Sequence, residues 1–165
     1  MPEKKTIERA RRDKREGKSA STQAGEFVRE EMEHIREGKH GARSSKQAIA
    51  IGLSKARRAG VDLPPPKKGA SSPATRRKAQ QDTRAGKHPH KTSARRAGAV
   101  RKALKREGHA AASKRSLSRQ AKSAASKRSA GERSAAARRA ARTKGPRERS
   151  QAARKAARTR ARHAG

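Results

Sequence analysis

The amino-acid sequence predicts a mainly α protein, with a small helical hairpin head followed by a long, largely disordered basic tail with marginal helices. Three observations lead there. Eleven of the 14 Val, Ile, Leu, Met and Phe residues lie before residue 64, and those between 21 and 63 recur at helical spacing. Residues 1–63 carry 16 Lys/Arg and ten Asp/Glu, whereas residues 64–165 carry 32 and four. From His109 onward the chain is a low-complexity mixture dominated by Ala, Ser, Lys and Arg. So few large side chains, each stabilising by roughly 1.5–3 kcal/mol when buried, fall short of a backbone ordering cost of about 1–2 kcal/mol per residue over the full length. Most of the chain is therefore expected to be disordered when alone.

Four segments follow from this division. Residues 1–20 form a basic N-terminal segment whose helix, Thr6–Glu16, is stopped by Gly17 and laced by Glu8/Arg12, Arg9/Asp13 and Arg12/Glu16 at i,i+4. With Ile7 as its one large apolar residue, this helix is expected to be exposed and to fray. Residues 21–63 hold the hairpin. Its first helix starts near Thr22–Gly25 and ends before Gly38, with Val28, Met32 and Ile35 at i, i+4, i+7 and Phe27 beside them. Its second has Ser44 and Gln47 at capping-box spacing, Ile49, Leu53 and Ala56 as a stripe, Ile51 flanking, and a Gly60-Val61 stop. The predicted core is Phe27, Val28, Met32, Ile35, Ile49, Ile51 and Leu53, thin enough to call for a second copy or a ligand.

Residues 64–71 are a proline-rich linker, and 72–165 the basic tail. Ser72-Pro73 is an N-cap and first-turn signal for a short helix to Gly86. Ser93 starts another to Gly108, in which Ala97, Val100 and Leu104 share a face. AASKRS occurs at 111–116 and 124–129, and RSAAARRAARTK (133–144) returns as RSQAARKAARTR at 149–160 with nine of twelve positions identical. Neither copy contains an apolar side chain larger than Ala.

Residues 25–60, GEFVREEMEHIREGKHGARSSKQAIAIGLSKARRAG, resemble an uncharacterised bacterial family of small basic proteins, some labelled DNA-binding. KHGARSSKQAIAIGLSKARRAG is the most specific part. The Ala/Lys/Arg tail is similar in composition to the tails of linker histones and histone-like bacterial proteins. The resemblance implies a class of protein and brings no site residue with it.

A net charge of +34 selects polyanions as partners. On a helix Arg138, Arg139 and Arg142 fall within a 100° arc, and Arg154, Lys155 and Arg158 repeat it. With Arg133, Lys144, Arg149, Arg160 and Arg162 they are the candidate phosphate contacts, expected to fold on contact as a two-part clamp. Base reading is not expected: Asn is absent, no Cys pair could hold a zinc finger, and Phe27 is better used as core than as a stacking platform. The expected function is non-specific DNA binding of a histone-like or nucleoid-associated kind. RNA or ribosome-associated binding, and a stress-associated disordered hydrophilic protein, are the alternatives. No enzyme activity, cofactor or metal is expected. His88 and His90 flank Pro89 without a third ligand, and the carboxylates of Glu26–Glu37 are read as solvating the outer face of their helix, or docking part of the tail. No 18-residue apolar stretch and no apolar leader in MPEKKTIERA are present, so the expected location is cytoplasmic, beside the nucleoid. Self-association through the head is the one further partner expected.

Overall fold

Serine places the helix starts. In the computed structural model, which describes residues 2–88 and 93–164 and, at 143, 144, 163 and 164, the backbone alone, six helices begin behind a serine. The elements are α1 (Lys4–Arg15), α2 (Ala20–Arg36), α3 (Ser45–Arg58), α4 (Pro73–Lys87), α5 (Ala94–Lys105), a 3-10 turn (Ala110–Ala112), α6 (Lys114–Ser126) and α7 (Ala130–Ala164). The hydroxyls of Ser19, Ser44, Ser72, Ser93, Ser113 and Ser129 accept from the backbone N–H three residues on, satisfying donors that a helix start otherwise leaves open. At Ser129 the box is reciprocal: Glu132 accepts from the Ser129 N–H at 2.9 Å. At α3 the returning side chain, Gln47, instead takes the N–H of Arg43 at 2.7 Å.

Contacts divide the chain into two compact units, 1–120 and 121–165, whereas the composition breaks at residue 63. In the first unit α2 crosses α3 at Gly52, where a Cβ would come within 2.7 Å of the Val28 Cα. Glycine is needed there because the two backbones nearly touch. One apolar cluster joins Ala10 of α1 with Ala24, Phe27, Ala56 and Val61, flanked by Ile7, Leu53 and Leu63. The other joins Met32, Ile35, Ala42 and Ala48 with Ala111 and Ala112, flanked by Val28, Ile49 and Leu117. Ile51 is half-buried.

Two expectations are overturned here. Residues after 63 are not a long disordered tail, since helices continue to Ala164. Part of the reason is tertiary. Gly41 and Ala42 donate to the carbonyls of Leu104 and Gly108 at 2.9 and 3.1 Å, Ser45 Oγ donates to Ala111 O at 2.6 Å, and Arg36 Nε to Ala112 O at 3.0 Å. The 3-10 turn therefore closes the α2–α3 core with alanines and backbone carbonyls, groups that a search for large apolar side chains passes over. The rest is local: Ala has the highest helix propensity, and α4–α7 are rich in it and serine-capped.

α1 is also not an exposed, fraying helix. It lies on α2 with Thr6, Ala10 and Asp13 buried, and Arg9 Nε meets Glu26 Oε2 at 2.6 Å. Small side chains make this contact, which is why Ile7 alone was a poor guide.

Candidate nucleic-acid interface

The second unit contains the doubled run. α7 is two helical stretches joined at Gly145, whose φ of 65° and ψ of 169° leave the helix before Pro146. Glycine tolerates that φ, and proline cannot supply the N–H that would continue the ladder. The break falls between the two copies, so each occupies its own stretch. Arg133, Arg138, Arg139, Arg142, Arg149, Arg154, Lys155, Arg158, Arg160 and Arg162 are all exposed; the side chain of Lys144 lies outside the described residues. Some of these cations are steadied locally. Arg133 Nη1 donates to Arg128 O at 2.6 Å, Arg138 to Ser134 Oγ at 3.3 Å, and Arg149 Nε to Gly145 O at 3.1 Å. After the break, Arg154, Arg158 and Arg162 stand at i, i+4, i+8 on one face, with Lys155 beside them, at steps of about 6 Å along the axis.

Carboxylates cannot neutralise this region. From residue 83 to the end the sequence carries 27 Lys/Arg and three Glu, a net excess of 24 positive charges. Acidic residues concentrate instead in residues 3–82, where most are engaged. Contrary to the sequence reading, the carboxylates of α2 do not simply solvate its outer face. Glu30 and Glu31 are buried, and Lys55 Nζ of α3 lies 3.3 and 2.6 Å from them. Glu26 holds Arg9, and the half-exposed Glu33 holds Arg29 at 2.9 Å. These partners come from α1, α2 and α3 and not from the basic tail. Glu31 falls four residues from both Phe27 and Ile35, on the apolar side of α2, and that spacing is the signal from which a buried acid could have been read.

A second ionic knot ties α3 to α4. Asp82, buried, accepts from Ser54 Oγ at 2.7 Å, Arg58 Nε at 2.8 Å and Lys78 Nζ at 3.1 Å. Burial alone would push its carboxyl up, but these three donors outweigh it and hold the group below the usual carboxylate range. Arg57, next to this knot, is pushed down by burial, partly offset by the Asp82 charge, and donates to the carbonyls of Leu63 and Pro64 at 3.2 Å each, anchoring the start of the proline segment. Of the histidine pair weighed as a metal site, His88 is exposed, and His90 lies outside the described residues.

The fold and the charge thus define an all-helical, strongly basic chain with a packed ionic unit and a cationic helical one. No helix of the described residues is long and apolar enough to cross a membrane. Residues 3–68, which span α1 to α3 and the start of the proline segment, match the model of DUF6496, a family of unknown function. No curated protein and no solved structure matches the chain.

Proposed function

We propose that this chain binds nucleic acid without strong sequence preference, by phosphate neutralisation along its exposed cationic helices, as histone-like and nucleoid-associated proteins do. The observation that carries this reading is the display of Arg138, Arg139, Arg142, Arg154, Lys155 and Arg158 in solvent on ordered helix, in a region where carboxylates are outnumbered nine to one. Such a surface gains affinity by releasing the counterions condensed on a duplex. Because each copy of the run lies on its own stretch of α7, one engaged copy raises the local concentration of the other at the same polymer. The ordered helix replaces the expected fold-on-contact clamp: binding here carries little backbone ordering cost. Membrane adsorption is disfavoured, since α7 offers no apolar side chain larger than Ala to insert.

Fluorescence anisotropy with several unrelated duplexes tests the reading. If six to ten phosphates are engaged, affinity falls about 10³–10⁵-fold between 50 and 200 mM salt, at similar strength for every duplex. A flat salt response, or strong preference for one site, overturns it. Competition between duplex DNA and structured RNA at matched salt decides which polymer is preferred, with DNA expected.

A further inference from the structure

Towards the C-terminal end of α2 lies a third constellation. Glu31 and His34, at i,i+3, share a face of α2. Gly38, at φ +74°, then turns the chain so that His40 comes back beside them. One ligand atom from each of Glu31, His34 and His40 lies within 4.8 Å of the others, and the two rings meet edge to face with centroids 6.1 Å apart.

The hydrogen bonds around these groups are those of a ligand set. Nδ1 of His40 lies 3.0 Å from the Gly41 carbonyl, which can only accept, so Nδ1 carries the proton. When the ring is neutral its lone pair is then on Nε2, which faces Glu31 Oε1 at 3.2 Å. Nε2 of His34 lies 2.8 Å from Glu3 Oε1, so that nitrogen donates and Nδ1 keeps the lone pair. Each imidazole is thus fixed through one nitrogen by an oxygen acceptor and has the other available, the outer-shell arrangement that orients metal-binding histidines. Glu31 supplies the independent observation. It is fully buried, with neither carboxylate oxygen in hydrogen-bond geometry; Lys55 Nζ ion-pairs with Oε2 at 2.6 Å, which leaves Oε1, 3.2 Å from His40 Nε2, as the oxygen open to a metal.

We propose that Glu31, His34 and His40 bind a divalent transition-metal ion of zinc-like preference. Two imidazoles and one carboxylate suit such an ion, and a water completes four-coordination. Bonds of about 2.0–2.2 Å require the three ligand atoms to close by roughly an ångström, within reach of the two half-buried rings. Such a metal would tie the end of α2 and the α2–α3 link together, beside a core of few large side chains. None of its ligands is among the cations proposed to contact phosphate, and its test is independent of nucleic-acid binding.

The probe is zinc alone, added to full-length protein stripped with chelator. One zinc is expected to bind per chain by calorimetry, the unfolding midpoint is expected to rise with zinc concentration, and cobalt in place of zinc is expected to give the visible absorption of a tetrahedral site. The double variant His34→Gln/His40→Gln should bind about 100-fold more weakly or worse, while His88→Gln should be unchanged. Absence of binding to the wild-type chain, or undiminished binding by the double variant, overturns the site. Should the double variant lose its helical spectrum, the decision passes to NMR of the wild-type rings. Zinc must then shift His34 and His40 and leave the exposed His88 in place, and failure of either refutes the proposal.

Discussion

In residues 1–120 Glu30 and Glu31 of α2 are buried against Lys55 of α3, and the half-buried Glu26 meets Arg9 of α1, whereas in residues 121–165 fifteen Lys/Arg meet two Glu on and beside α7. Both regions are helical, yet different forces hold them so. α2 and α3 gain from burying Phe27, Met32, Ile35 and Ala56, and the pairs of Lys55 with Glu30 and Glu31 are shielded from solvent. α7 has Ala propensity, a capping box and little else. The lesson is that a helix can be fixed by its neighbours or by its own residues, and that the second kind can keep most of its cations exposed.

The contrast breaks most strongly at Phe27. Truncating this buried ring to Ala should cost about 3–5 kcal/mol, read as a lower chemical-denaturation midpoint, with amide protection of α7 unchanged; equal loss in both regions would show that they are not independent. Next comes Asp82→Asn, which leaves buried donors poorly matched and should cost about 1–3 kcal/mol. Its pH signature is a sharper check. The folded carboxyl is held below its ordinary value, so its contribution is fully present above the unfolded pKa of about 4 and is lost as pH falls through the depressed folded value. Wild type should therefore lose stability below about pH 4 more steeply than Asp82→Asn, and parallel curves would refute the assignment.

A smaller effect tests the local side of the comparison. Ser129→Ala removes the hydroxyl cap of α7 and should cost that helix about 1 kcal/mol, seen as faster amide exchange in residues 130–136 with residues 20–58 unaffected. The smallest effect on stability belongs to Arg138→Gln/Arg139→Gln/Arg142→Gln. Gln keeps most of the helix propensity, so unfolding should move by no more than about 0.5 kcal/mol per exposed site. The salt slope of duplex binding should nonetheless fall by about 0.9 for each phosphate that the variant no longer neutralises. Unchanged slope would remove the first copy of the run from the interface.

Local chemistry was legible in the sequence. Ser44, Ser72 and Ser93 announced helix starts because a cap involves a side chain and a backbone N–H only three residues away, and the Gly60-Val61 stop followed because Gly60 takes φ +88° and Val61 N reaches back to Ala56 O at 3.1 Å. The split between a mixed-charge and a basic half is composition, and needs no structure. Ala-rich helix after residue 63 was under-read, because burial of large side chains was taken as the requirement for order. Tertiary structure alone decided the rest. Residues 104–112 dock on 41–45 through backbone carbonyls, which every residue type possesses, so no sequence pattern marks them. Glu30 and Glu31 are buried because Lys55, 25 and 24 residues away in the chain, arrives from the facing helix, and His40 meets Glu31 because Gly38 reverses the chain. These are distances between groups far apart in sequence or across a turn, and only packing sets them.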